Sequence, residues 1–394
     1  MLTRPPATAA TLPPPSADAL AASQQLARHI AGDIAAAGGW IGFDRFMELA
    51  LYAPGMGYYA GGARKFGAAG DFVTAPELSP AFAQTLAAQL QQLLPCGAAQ
   101  VIEVGGGSGK LASDLLLELE GQRMLPTSYA ILELSGELRC RQHDTIRRLA
   151  PHLLSRVRWL EHLPARFTGV VLANEVLDAM PAQLVCWDGE RISERGVIAS
   201  GDHFAWADRP ASGHLLDRAR TLAAECGICP PYLSEISLAA QAWVAQWARI
   251  IDQGVLLLID YGFPRHEYYH PQRDAGTLMC HYRHRAHDDP FYLPGLQDIT
   301  VHVDFTAIVE SGCSEGLELL GYTTQSAFLF NCGLTEVLAR TPVDDTLRYL
   351  PLANAVQKLV SPAEMGELFK VMALGRRIAE PLCGFRSGDR SASL

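Results

Sequence analysis

The chain has 394 residues, 49% of them apolar, with 32 Lys and Arg against 42 Asp and Glu for a formal net charge of −10. That length and apolar content suffice for a full α/β core and a second module, while an acidic balance with no basic run beyond a pair excludes the phosphate backbone of nucleic acid as the main partner. Nine scattered cysteines point away from a disulfide framework, and no apolar stretch reaches the roughly 18 residues of a membrane helix, so no membrane insertion is expected.

In chain order, residues 1–20, rich in Pro, Ala and Thr, read as a disordered arm. Leu26, Ile30 and Ile34, then Phe43, Phe46, Met47, Ala50 and Leu51, recur at helical spacing. Residues 53–79 are dense in Gly, Pro and aromatics and read as a long loop. A helix with Phe82, Leu86, Leu90 and Leu93 on one face completes a helical cap and lid loop over residues 21–95. Beyond it, apolar runs at Val101–Val104, Ala130–Glu133 and Val170–Ala173 alternate with helical patterns, the rhythm of right-handed βαβ units. Residues 96–182 are therefore the first part of a Rossmann-like domain. Residues 183–254 read as an insertion, a β-hairpin around Asp188-Gly189 and then helices, one carrying Trp243, Val244 and Trp247 as core residues. The domain resumes over 255–376 with a buried strand to Asp260 and a late strand at Lys370–Leu374, and 377–394 read as a tail, disordered from Ser387.

The first apolar run passes through Glu103 into Val104-Gly105-Gly106-Gly107-Ser108-Gly109-Lys110, an E-x-G-x-G-x-G spacing ahead of a helix. Glycines at every second position let backbone turn sharply and approach a bulky ligand, because no Cβ intervenes. A phosphate-binding loop fails here, since Val104 occupies its first glycine and Leu111 follows Lys110 where Ser or Thr is needed. A dinucleotide fingerprint can be traced through Gly107, Gly109 and Ala112 with Glu133 beyond, which keeps an NAD-dependent oxidoreductase as an alternative. Yet Glu103 would oppose a pyrophosphate. S-adenosyl-L-methionine carries a sulfonium and an ammonium and no phosphate, so the same carboxylate attracts it, and Glu133 is then placed to accept both ribose hydroxyls.

With those residues in hand, the chain resembles the MidA-like family of class I methyltransferases. The resemblance rests on Leu51-Tyr52-Ala53-Pro54 through Gly57-Tyr58-Tyr59, Gly70-Asp71-Phe72-Val73-Thr74-Ala75-Pro76-Glu77-Leu78-Ser79, Asn174-Glu175-Val176-Leu177-Asp178-Ala179-Met180-Pro181, Asp260-Tyr261-Gly262, and Asp298-Ile299-Thr300 with Val303-Asp304-Phe305. It implies an α/β fold with a mostly parallel seven-stranded sheet and S-adenosyl-L-methionine as donor. The family's mitochondrial members are assembly factors for respiratory complex I credited with methylating an arginine of a core subunit. The resemblance thus implies a protein substrate, with a location in the cytoplasm for a bacterial chain and in the mitochondrial matrix for a eukaryotic one. A donor-binding assembly chaperone with little turnover is the alternative.

The expected donor contacts are Gly70, Asp71, Thr74, Glu103, Gly105, Gly107, Gly109, Glu133 and Asn174. Gly70, Asp71, Thr74 and Glu77 are expected to act as a lid. Glu175 and Asp178, three apart, are expected to share a face of a first helical turn and bind the acceptor, with Glu77 joining them on the catalytic side. His302 and Asp304 are further candidates. Cys226-Gly227-Ile228-Cys229 and the run His281, His284, His287 have partial metal-ligand spacing, but no metal is required for methyl transfer. The oligomeric state stays open, a homodimer included.

Overall fold

The computed structural model describes residues 12–61, 74–96 and 99–394. It divides into two compact units, one of Met1–Phe72, Leu177–Ala242 and Phe263–Asp304, the other of Val73–Val176, Trp243–Gly262 and Phe305–Leu394. Among the described residues no helix is long and apolar enough to cross a membrane.

The second unit is built on a sheet whose strands are β1 (Gln100–Val104), β2 (Ser128–Leu132), β3 (Val157–Leu160), β4 (Phe167–Asn174), β5 (Ile251–Phe263), β6 (Glu318–Thr324) and β7 (Phe369–Arg376). Their order is β6-β7-β5-β4-β1-β2-β3. β1 pairs in parallel with both β2 and β4, β2 with β3, and β4 with β5, while β7 runs antiparallel between β5 and β6. This is the α/β, Rossmann-like, mostly parallel sheet that the resemblance implies. Strand order reverses between β1 and β4. In doubly wound sheets, ligands sit outside the carboxyl ends of the strands at that switch point, and here those ends carry the glycine turn and Asn174.

The apolar stripes explain why helices cover the sheet. Leu86, Leu90 and Leu93 from Pro80–Leu93, and Leu111, Leu115 and Leu119 from Lys110–Gly121, share one buried cluster with Val170, Leu172, Leu257 and Ile259 of the strands. Trp247 is fully buried, edge-on to Phe167 and Trp243. Trp247→Ala is expected to cost about 3–5 kcal/mol as transfer free energy and cavity combine, read as a lower denaturation midpoint in urea.

In the first unit, the segments read from sequence as an N-terminal cap and a later insertion form one body. Ile41 pairs with Val197, so the strand Ile41–Gly42 edges a sheet made of Arg191–Ser200, Gln183–Asp188 and Tyr232–Ile236, with His203–Pro210 also on Arg191–Ser200. Leu26, Ile30, Ile34, Phe46 and Leu51 of the first two helices pack with Leu184 and Val197.

Three expectations change. The first helix begins at Ala17, capped by the Ser16 hydroxyl, inside the stretch read as a disordered arm. The supposed loop to residue 79 contains a short helix, Ala75–Leu78. The tail is ordered because it finds partners: Phe385 packs edge-on against Phe328, and Asp389 accepts the Tyr322 N–H at 3.1 Å.

Candidate active site

β1 ends in a turn whose alternate glycines take left-handed conformations, φ 65° at Gly105, 51° at Gly107 and 84° at Gly109. Each would strain an L side chain. Gly109 caps the helix Lys110–Gly121, and a Cβ there would lie 2.8 Å from Cα of Gln142; at Gly106 it would lie 2.7 Å from Ile131. At Gly107 a Cβ would meet nothing within 4 Å. The turn is thus packed on one side and open at Gly107.

Two buried carboxylates flank it. Glu103 lies within β1, 3% exposed, and accepts the Tyr129 hydroxyl at 2.7 Å. Burial pushes its carboxyl up to about 7, with the nearby charge of Glu133 adding to the rise and the tyrosine bond opposing it. Glu133, just past β2, accepts the Ser135 N–H on Oε1 at 3.0 Å and the Gln142 amide on Oε2 at 2.9 Å. Burial raises its pKa too, against the pull of those two bonds.

Thr74 is the N-cap of the short helix, without a side-chain capping bond, and Glu77 follows in that helix. The Ser108 hydroxyl of the glycine turn donates to the Glu77 carboxylate. Glu77 is therefore tied to the glycine turn. Gly70 and Asp71 lie outside the described residues.

β4 ends beside β1 at Asn174. Its amide donates to Glu175 Oε1 at 3.0 Å, while its buried Oδ1 has no hydrogen-bond partner among the described residues. Glu175 is left-handed, φ 53°, an unusual conformation for a non-glycine residue that calls for over-determination by its surroundings. Those surroundings are the Glu175 N–H on Ile259 O at 2.9 Å and the Val176 N–H on the buried Asp260 carboxylate at 3.1 Å. Asp260 also accepts the Tyr261 N–H at 2.9 Å. The expected helical turn from Glu175 to Asp178 does not form, because Glu175 itself is left-handed and so outside helical geometry. Val176 also backs the glycine turn, 3.3 Å from where a Cβ of Gly105 would stand.

The remaining candidates belong to the first unit. Asp178 is buried, and its carbonyl accepts the Val301 N–H at 3.0 Å. His302 stacks on Phe263 at 5.3 Å, and Asp304 pairs with Arg265 at 3.6 Å. The histidine run forms a β-hairpin, with Cys280 opposite His287 and Arg283 and His284 at its tip. Sequence reasoning gave no role to Gln142, Tyr129 or Asp260.

A turn open at Gly107, two flanking carboxylates and a spare carboxamide oxygen suit a cationic nucleoside better than a phosphate ligand. Comparison with known proteins agrees. Residues 81–323 match the family described as "Putative S-adenosyl-L-methionine-dependent methyltransferase". A Burkholderia thailandensis protein crystallised with S-adenosyl-homocysteine is 53% identical, with a TM-score of 0.94 over 98% of this chain and 100% of its own. The Drosophila melanogaster "Protein arginine methyltransferase NDUFAF7 homolog, mitochondrial" is 28% identical over 84% of this chain and 80% of its own length. Its Danio rerio counterpart is 27% identical over 89% and 87%. The chain belongs to this family of S-adenosyl-L-methionine-dependent methyltransferases, and S-adenosyl-L-methionine is its cofactor.

Proposed function

We propose that the protein methylates a nitrogen of a protein side chain, an arginine guanidinium, with a subunit of a respiratory complex as the acceptor that the family resemblance implies. The observation that carries this is Glu175, an acidic residue held left-handed by Asp260 and Ile259 at the end of β4, next to the strand that carries the donor turn. The relatives named as protein arginine methyltransferases support the same acceptor.

The bound cofactor supplies a methyl carbon on positively charged sulfur, open to in-line attack. Glu103 faces the donor's positive charge, Glu133 the ribose hydroxyls, and the left-handed turn of Gly105, Gly107 and Gly109 brings backbone to the donor, with clearance at Gly107. Asn174 offers its spare oxygen, and Thr74 stands at the start of the short helix that carries Glu77. Glu77, bound to Ser108, holds the lid segment to the turn. Glu175 accepts guanidinium N–H bonds, which orients the attacking nitrogen and concentrates electron density on it. As the nitrogen–methyl bond forms, the sulfur–methyl bond breaks to leave a neutral thioether, and the proton lost from nitrogen passes to the Glu175 carboxylate and on to solvent. Asp178, three residues on in sequence, is the second carboxylate of the proposal.

Purified protein incubated with methyl-labelled donor and a lysate from cells lacking its gene is expected to label arginine in a protein band. Glu175→Gln should lower that labelling by about a hundredfold, the effect of losing a charge-assisted bond used in the transition state, with S-adenosylhomocysteine affinity unchanged. Donor binding without labelled arginine in the wild-type reaction would overturn the acceptor and leave a binding chaperone.

A further inference from the structure

Gln142 is fully buried on the helix Gly136–Leu149. Its Nε2 donates to Glu133 Oε2 at 2.9 Å and to the carbonyl of Gly107 at 3.2 Å, and its Oε1 accepts the Trp159 indole N–H at 2.9 Å. A carboxamide has two N–H donors on one side and one oxygen on the other. Indole nitrogen is a donor only, so Trp159 fixes the oxygen toward β3 and turns both N–H groups toward the glycine turn and the carboxylate. The amide cannot flip without setting an oxygen against Glu133 and an NH₂ against the indole, which would leave buried donors and acceptors unpaired.

We propose that Gln142 is a positioning residue for donor recognition, a bracket that holds the open Gly107 peptide and the Glu133 carboxylate at a fixed separation so that one ligand meets both. The inference rests on the reading of Glu133 as the ribose-binding carboxylate and assigns Gln142 the orientation of that carboxylate. The backbone of Gln142 also backs Gly109, with its carbonyl oxygen 3.0 Å from a Cβ there, so one residue supports two peptides of the turn. Trp159 acts one step further out, by choosing the amide's orientation.

The test is calorimetric titration of the full chain with S-adenosylhomocysteine and with its 2′-deoxy analogue. Wild-type protein is expected to prefer the first by about tenfold or more, the worth of one hydrogen bond to a charged acceptor. Gln142→Leu should weaken S-adenosylhomocysteine by about tenfold to a hundredfold and shrink the preference to about threefold or less, because Glu133 is no longer aimed. Trp159→Phe, which leaves Gln142 in place, should shift both quantities the same way by a smaller factor. A Gln142→Leu protein that binds S-adenosylhomocysteine within about threefold of wild type overturns the assignment. Equal weakening of both ligands with the preference intact also overturns it, since that is what general loosening of the fold would give. A wild-type protein that does not distinguish the two ligands removes the Glu133 reading instead.

Discussion

Alanine at Gly107 is expected to weaken S-adenosylhomocysteine binding by roughly tenfold to a hundredfold while leaving the protein folded. A methyl at Gly107 meets no protein atom within 4 Å. Its cost to the fold is the left-handed backbone alone, about 1–2 kcal/mol. The same methyl projects from the open side of the turn, where the donor is proposed to lie, and overpacking there costs the complex about 1–3 kcal/mol. Gly109→Ala makes the informative contrast. Its φ of 84° carries the same strain, and its Cβ would sit 2.8 Å from Cα and 3.0 Å from O of Gln142, backbone atoms that cannot step aside. Strain and overpacking then both fall on the folded state, about 2–5 kcal/mol together. Urea denaturation and calorimetry separate the two variants: Gly107→Ala should lose affinity with the smaller fall in midpoint, Gly109→Ala should show the larger fall in midpoint and lose affinity as well. Full donor affinity in Gly107→Ala would move the donor off this face of the turn.

The contrast also shows how far sequence could go. Three glycines at alternate positions were readable as a turn that admits a ligand, since each spacing has a backbone reason. Which glycine faces protein and which faces open space was not, because that depends on Gln142, 33 residues beyond Gly109. A signal for Gln142 did exist: it falls between Leu138 and Ile146 on the buried stripe of its helix, where an amide must find partners. The partners themselves come from β2, β3 and the turn, and no local pattern names them.

The end of β4 teaches a related point. Acid residues three apart suggested a helical turn, but Glu175 stands left-handed beside Ile259 and Asp260, residues of a strand that enters only after the whole intervening segment. The apolar strands were legible because parallel strands buried on both faces read as continuous apolar runs. The edge pairing of Ile41–Gly42 with Arg191–Ser200 was not, because two residues carry no periodicity. Likewise the tail after Ser387 lacks an apolar stripe of its own and is ordered through Asp389 and its neighbours.

Glu103 gives the second large expected effect, and its sign can be worked out. The folded carboxyl sits at about 7 against 4.5 for the free group, because burial disfavours the charge more than the Tyr129 bond relieves it. Below pH 4.5 both folded and unfolded chains are protonated there, so the group contributes no difference. As pH rises from 4.5 to about 7 the unfolded chain ionises first, and the folded state loses about 3 kcal/mol relative to it, a loss complete above pH 7. Glu103→Gln keeps the shape and an acceptor for Tyr129 but has no proton to lose. Its urea midpoint should therefore match wild type near pH 4.5 and exceed it clearly at pH 8. Donor affinity should run the other way. An ionised Glu103 attracts the sulfonium and ammonium of S-adenosyl-L-methionine, so wild-type affinity should rise between pH 6 and pH 8, and Glu103→Gln should bind more weakly at pH 8 with a flatter profile. Stability gained and affinity lost in one variant is the signature of a carboxylate kept in a buried place for its ligand. If Glu103→Gln matches wild-type affinity at pH 8, the carboxylate does not face the donor's charge, and Glu133 is left as the acidic residue that distinguishes this turn from a packing motif.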